Sequence, residues 1–193
     1  MDTNLAYQDD AWAKRREELI SGKVVMMAPA SSNHNRIAGN IFSLFHHYLK
    51  GQKCVPFGDN EKVFLTDTDH YVPDFMIVCD RDKIKPNGVH GAPDLVVEIL
   101  SPGTAKNDRT RKKEIYEMCC VPEYWLVSPG ERSIEVYWLE NNSYVLHDIY
   151  TLPPDWALET MKDEEKAALV TEFRCRLYDD LTIRLEDIFD DLL

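Results

Sequence analysis

The sequence predicts a single α/β domain over residues 1–193, with a central mixed β-sheet flanked by helices. Three observations carry this expectation. Residues 34–49 place Ile37, Ile41, Leu44, Phe45 and Tyr48 at the i, i+4, i+7, i+8 spacing of a helix packed on one side. The middle of the chain is a series of short β-branched or aromatic segments parted by Gly, Asp, Asn and Pro, which read as strands. Between two groups of such strands, residues 105–119 return to helical patterning.

Taken in order, residues 11–20 read as a helix stopped by Gly22, and 23–27 as a short extended run. Ala28-Pro29-Ala30-Ser31-Ser32-Asn33 is a turn whose Ser and Asn side chains can cap the helix over 34–49, which Gly51 closes. Strands follow at 54–57, 62–66, 72–79 and 93–100. The helix over 105–119 has Ile115, Met118 and Cys119 as its apolar positions. Strands at 123–127, 133–139 and 143–150 are joined by turns at Pro129-Gly130 and Asn141-Asn142. A helix over 156–170 and strand pieces at 173–177 and 181–185 complete the chain. The sequence has no internal repeat and no long linker, so residues from about 153 to 193 read as an acidic C-terminal extension of the same domain.

The formal charge is −12, from 22 Lys+Arg against 34 Asp+Glu. Residues 155–193 hold 12 acidic and five basic residues, whereas 104–114 reverse the sign with five basic and two acidic. Affinity for nucleic acid comes largely from phosphate neutralisation, so the overall balance opposes such a partner and the 104–114 segment favours it. No apolar run approaches the ~20 residues of a membrane helix. The first residues are acidic where a secretory signal is basic. A cytoplasmic protein without a membrane partner is expected. The cysteines (Cys54, Cys79, Cys119, Cys120, Cys175) form an odd set with no C-x-x-C pair, which argues against a disulfide framework and a zinc cluster alike.

The chemistry-bearing residues are carboxylates at strand positions. Asp74 opens the apolar run Phe75-Met76-Ile77-Val78, and Glu98 lies deep within Leu95-Val96-Val97-Glu98-Ile99-Leu100. Alternation puts Glu98 on one face with Val96 and Leu100, while Leu95, Val97 and Ile99 face the other way. An ionised Glu in such a strand is expensive to bury unless it is paired or binds a metal. If the two strands are neighbours, Asp74 and Glu98 converge into a hard-oxygen site suited to Mg²⁺. The alternative is that Asp74 caps a loop and Glu98 satisfies a salt bridge. On the next helix Asp108, Lys112 and Tyr116 share a face at i, i+4, i+8. As a surface pair, Asp108–Lys112 is worth only ~0.3–0.5 kcal/mol; beside the end of the Glu98 strand, Lys112 can instead meet a phosphate or an attacking water. Tyr124, Trp125, Tyr137 and Trp138 read as core or interface residues.

In order, PDLVVEILSPGT (93–104), Asp108-x-x-x-Lys112-x-x-x-Tyr116 and VPEYWLVSP (121–129) resemble the Uma-type restriction endonucleases, a branch of the PD-(D/E)xK nuclease superfamily. VPDFMIV (72–78), His34 after its Ser/Asn turn, and Glu18-Leu19-Ile20-x-Gly22 are similar to the same family, and the resemblance covers roughly residues 15–150. It implies a restriction-endonuclease-like core and metal-dependent phosphodiester cleavage. By position, Asp74 and Glu98 match the two metal carboxylates, while Glu18 and His34 match positions near the cleft. The superfamily signature wants Lys two residues after the second carboxylate, where this chain has Leu100; in this branch the lysine moves to the following helix, at Lys112, with Lys113 as the neighbour that can substitute. The stretch 156–170 looks longer than the family's usual connection.

The expectation that follows is a DNA endonuclease using Mg²⁺, with Mn²⁺ able to replace it. Asp74, Glu98 and Lys112 are its catalytic set, and Asp108, Lys113 and Tyr116 stand with Glu18 and His34 about the cleft. Lys106, Arg109 and Arg111 would contact flanking phosphates without reading sequence. A homodimer would set two centres against two strands. Two rivals remain at this level: a nuclease fold retained for binding, favoured by the charge and by Leu100, and a small-nucleotide phosphodiesterase, for which an acidic surface is no handicap.

Overall fold

The computed structural model of the protein describes residues 17–193. Elements are numbered in chain order. The main sheet runs β12 (Ser143–Thr151), β11 (Ser133–Glu140), β10 (Glu123–Ser128), β9 (Leu95–Ile99), β6 (Phe75–Val78), β3 (Val55–Gly58). Its neighbours are antiparallel except β9 and β10, whose parallel pairing makes the sheet mixed. A second sheet of short strands runs β2 (Lys23–Met26), β1 (Glu17–Ile20), β5 (His70–Tyr71), β4 (Val63–Phe64), β8 (Gly88–His90), β7 (Ile84–Lys85), with β4 and β8 parallel. Near the C-terminus β13 (Glu172–Phe173) pairs with β14 (Ile183–Arg184).

The helices are α1 (Ser32–Tyr48), α2 (Ala105–Asn107), α3 (Lys113–Met118), α4 (Asp155–Thr160), α5 (Asp163–Ala167) and α6 (Leu185–Ile188). Between α2 and α3 the chain makes a wide π-helical turn, Asp108–Lys112. The Ser31 hydroxyl starts α1 by accepting the His34 backbone N–H at 3.2 Å.

Alternation along β9 and β10 sorts the interior into two layers. Leu95, Val97, Ile99, Trp125 and Val127 pack with Ile37, Ile41 and Phe45 of α1, and with Phe173, Ile183, Leu185, Ile188 and Phe189 of the C-terminal segment. Burying each such side chain contributes about 1.5–3 kcal/mol. On the other side Val96, Tyr124 and Leu126 pack with Ile115 and Tyr116 of α3 and with Val63, Tyr71 and Val89 of the small sheet.

Several expectations change. Residues 17–20 form a strand, because Leu19 and Ile20 are drawn into a hairpin with β2 rather than onto a helix face; residues 11–16 of the expected helix lie outside the described residues. The helix over 105–119 is interrupted by the π turn. That over 156–170 is two short helices broken at Met161-Lys162, and the strand pieces at 173–177 and 181–185 shrink to two residues each. Cys54 and Cys79 are disulfide-bonded, against the expectation of free thiols: antiparallel pairing of β3 with β6 sets Val55 opposite Val78 and thus brings the two flanking cysteines together. No helix among the described residues is long and apolar enough to cross a membrane.

Candidate active site

Strand pairing brings the two carboxylates together. On β6 and β9 Phe75 lies opposite Val97 and Met76 opposite Val96, so one step outward sets Asp74 facing Glu98. The Ile99 backbone N–H donates to Asp74 Oδ2 at 2.6 Å, and His34 Nε2 lies 2.9 Å from Asp74 Oδ1. Burial alone would lower the His34 pKa; the Asp74 carboxylate outweighs it, and the net shift is upward.

Lys112 ends the π turn, and its ammonium is 2.9 Å from Glu18 Oε1, 3.2 Å from Glu98 Oε1 and 3.3 Å from Asp108 Oδ1. Glu18 reaches it from β1 while accepting the Val72 N–H at 3.0 Å, and the Tyr116 hydroxyl donates to Glu98 Oε1 at 2.8 Å. Lys112 is 3% exposed, so this is an internal cluster rather than a surface pair. Burial pushes the Glu98 carboxyl well above the usual carboxylate range, against the pull of Lys112 and with the push of Asp108, Asp74 and Glu18. Asp108 is raised by burial too. For Lys112 burial works downward, yet attraction from Glu98, Glu18 and Asp108 wins and holds the ammonium charged.

These groups meet at a cleft of about 900 Å³ whose walls include Glu18, His34, Asp74, Glu98, Lys112 and Arg109. Further wall comes from Met27–Ser31 ahead of α1, the Leu100–Thr104 loop, Ser128-Pro129-Gly130 after β10, and Asp59-Asn60. The expected set thus separates. Tyr116 and Asp108 lie behind the wall, in contact with groups that line it. Lys113 is not a cleft residue: its ammonium sits 3.5 Å from the centre of the Tyr137 ring, since consecutive helical residues point about 100° apart and Lys112 faces the cleft. Arg109 reaches the cleft but is ion-paired with Glu135, and Arg111 is drawn away to Asp69 at 3.0 Å. Lys106 is exposed and outside the lining.

A family model described as "Uma2: Putative restriction endonuclease" matches residues 6–167. The chain belongs to the Uma2 family. Two Synechocystis proteins, slr1290 and sll1609, both named as uncharacterised, are relatives of it. The first is 31% identical over 131 residues, spanning 65% of this chain and 69% of its own. The second is 26% identical over 134 residues, spanning 67% and 76%. In three dimensions the chain resembles the crystal structure of "a putative nuclease belonging to DUF820" from Anabaena variabilis, with a TM-score of 0.62, 20% identity and coverage of 91% and 90% of the two chains. The fold is therefore restriction-endonuclease-like, and the family is one of nucleases.

Against the Uma2 background, the donor set can be weighed for a metal. Glu18, Asp74, Glu98 and Asp108 gather four carboxyls around two basic groups, Lys112 and His34; burial is the main cause of the upward shifts of Glu98 and Asp108, and repulsion among the carboxyls adds to it. A divalent cation would relieve it. Among the described residues no group of three or more His, Cys, Asp and Glu is disposed to hold a metal ion, so a fully protein-ligated site does not fit. Two carboxylates with waters and a substrate phosphate do fit the habit of Mg²⁺.

Two features of the site escaped sequence reasoning. Asp69, fully buried, accepts from the Ser21 N–H, the Thr66, Thr68 and Tyr71 hydroxyls and Arg111, linking the hairpin that carries Glu18 to the turn that carries Lys112. Burial alone would raise its pKa, but these donors hold it down to about 2. The Tyr124 hydroxyl donates to the Asp108 carbonyl at 2.9 Å. Tyr124 lies 16 residues from Asp108, and Ser21 and Arg111 lie 48 and 42 residues from Asp69, so neither link leaves a local signal in the sequence.

Proposed function

We propose that this protein is a Mg²⁺-dependent endodeoxyribonuclease. The observation that carries the reading is the meeting of Lys112 with Glu98 at 3.2 Å on the wall of the cleft that Asp74 also lines, in a chain of a nuclease family. Asp74 and Glu98 would hold the ion, which when bound polarises the phosphoryl oxygen and acidifies a water. The His34 ring and the Ile99 N–H fix the two Asp74 oxygens, and the Tyr116 hydroxyl fixes Glu98 Oε1. Water oxygen forms the new bond to phosphorus, the bond to the leaving oxygen breaks, and Lys112 neutralises charge that develops on the phosphoryl group. Lys106 outside the cleft would contact flanking phosphates, and Arg109 at the cleft could do so only by leaving Glu135. Mn²⁺ is expected to substitute for Mg²⁺. Two copies acting as a dimer on two strands belong to the same proposal, and sedimentation at micromolar concentration tests that part.

The central experiment is plasmid nicking with Mg²⁺ or Mn²⁺, comparing wild type with Glu98→Ala. Metal-dependent nicking that the variant lacks supports the reading; equal activity in both overturns it. One observation favours a second substrate class. Arg109 and Arg111 are paired with acids of the same chain, which leaves little positive charge for a long phosphate backbone. A small-nucleotide phosphodiesterase needs less, and cyclic nucleotides and dinucleotides assayed beside plasmid separate the two.

A further inference from the structure

Lys112 owes its place to an unusual piece of helix. A turn closed i→i+5 is rare and less favourable than the α form, and wide turns of this kind recur at functional sites. Something outside the helix must hold it. Flanking it, Ile115 and Tyr116 anchor α3 in the core, and the Ser101–Thr104 loop closes on itself before α2 through the Ser101 and Thr104 hydroxyls, 3.0 Å apart.

We infer that Tyr124 is a positioning residue for Lys112: its hydroxyl, bonded to the Asp108 carbonyl at the start of the wide turn, keeps that turn in the form that presents Lys112 to Glu98 and Glu18. Tyr124 sits on β10, which pairs directly with β9 in a register that sets Tyr124 opposite Val96 and Leu126 opposite Glu98. The same strand therefore fixes the Glu98 backbone through the sheet and the Lys112 turn through one phenol, and acts as the ruler between them. The bond is buried and 2.9 Å long. The Tyr124 ring packs 5.2 Å from Tyr116, whose own hydroxyl ends on Glu98, and 5.8 Å from Tyr144, so its direction is set by neighbours on both sides. Should the turn relax to the α form, each of its residues would turn the backbone by about 100° rather than by the smaller angle of the wider turn, so the residues before and after it would rotate relative to each other, and the three contacts of Lys112 could not all survive.

The test is Tyr124→Phe, which keeps the ring and deletes the donor, with Tyr144→Phe as control. The Tyr144 hydroxyl makes an equivalent bond, 2.9 Å to the Val121 carbonyl, away from the turn. Reductive methylation of the metal-free protein, read by peptide mapping, compares Lys112 with Lys83, whose ammonium is bonded to the Ala92 carbonyl at 2.9 Å. Tyr124→Phe is expected to raise the labelling rate of Lys112 at least fivefold and leave Lys83 unchanged, while Tyr144→Phe alters neither. A 4-aminophenylalanine at position 124, which restores a donor, should label as wild type, and 4-fluorophenylalanine serves as the donor-free variant if the Phe protein does not fold. Unchanged Lys112 labelling, or a rise shared with Lys83, overturns the inference. The kinetic arm rests on the nuclease reading: kcat is expected to fall about tenfold with KM within twofold. If wild type cleaves nothing, that reading fails while the labelling still decides the role of Tyr124.

Discussion

On one side of the central sheet Leu95, Val97 and Ile99 pack among the apolar residues of α1 and the C-terminal segment; on the other, one residue along the same strand, Glu98 meets Lys112 and a buried tyrosine. The two layers share a backbone and differ in what their burial does. The α1 side converts apolar area into stability. The cleft side sequesters four carboxyls and a lysine, an arrangement that does not maximise stability, because desolvating charge costs free energy that pairing only partly returns. The chemistry is thus confined to one face of a single strand, whereas apolar packing contributes on both.

The sharpest way to break this comparison uses adjacent residues. Glu98→Gln is expected to lower metal-dependent cleavage about 10³-fold with little change in Tm, whereas Val97→Ala should cost about 2 kcal/mol of stability and leave kcat intact. Urea melts and cleavage rates on the same samples decide; if both quantities fall in both variants, the partition is wrong. Next in size, Lys112→Met strands Glu18, Glu98 and Asp108 without their cation and should destabilise the protein by about 3 kcal/mol at pH 7. An unchanged urea midpoint would mean that bound protons already neutralise the cluster.

Asp69 gives a pH-dependent test on the cleft side. Its native pKa of about 2 lies below the ordinary value of 3.8, so its carboxylate adds stability above about pH 4 that disappears as pH falls towards 2. The contribution is about 2 kcal/mol. Wild type should lose that much between pH 4 and 2 in chemical melts, and Asp69→Asn should lack that part of the slope. The smallest effect is expected at Lys106: its replacement by Ala should weaken DNA binding similarly for all sequences and reduce the salt slope by about 1.

Much of this was legible in the sequence, for identifiable reasons. Alternation in a five-residue strand told which face Glu98 takes, and the antiparallel pairing that brings Asp74 opposite it was the simplest neighbour relation to imagine. Lys112 followed from helical spacing and family order. The small sheet was legible only in part: the runs at 23–27 and 62–66 contain β2 and β4, but strands of two or three residues such as β5, β7 and β8 carry too little pattern. The wide turn was not legible, since a spacing of i, i+4 presumes an ordinary helix; naming Lys113 as a substitute for Lys112 also overlooked that adjacent helical residues face different ways, and Lys113 lies over Tyr137. The Cys54–Cys79 bridge and the Asp69 network depend on register between distant segments, and composition carries no record of register.

Glu123 closes the chain in a way that composition also conceals. Its buried carboxylate accepts the Trp125 indole N–H and the Arg176 backbone N–H, each at 2.8 Å, beyond a surface excursion through α4 and α5. A protease that cuts within that excursion would therefore leave a nicked protein whose two pieces remain associated, separable in denaturant but migrating together in native gel filtration.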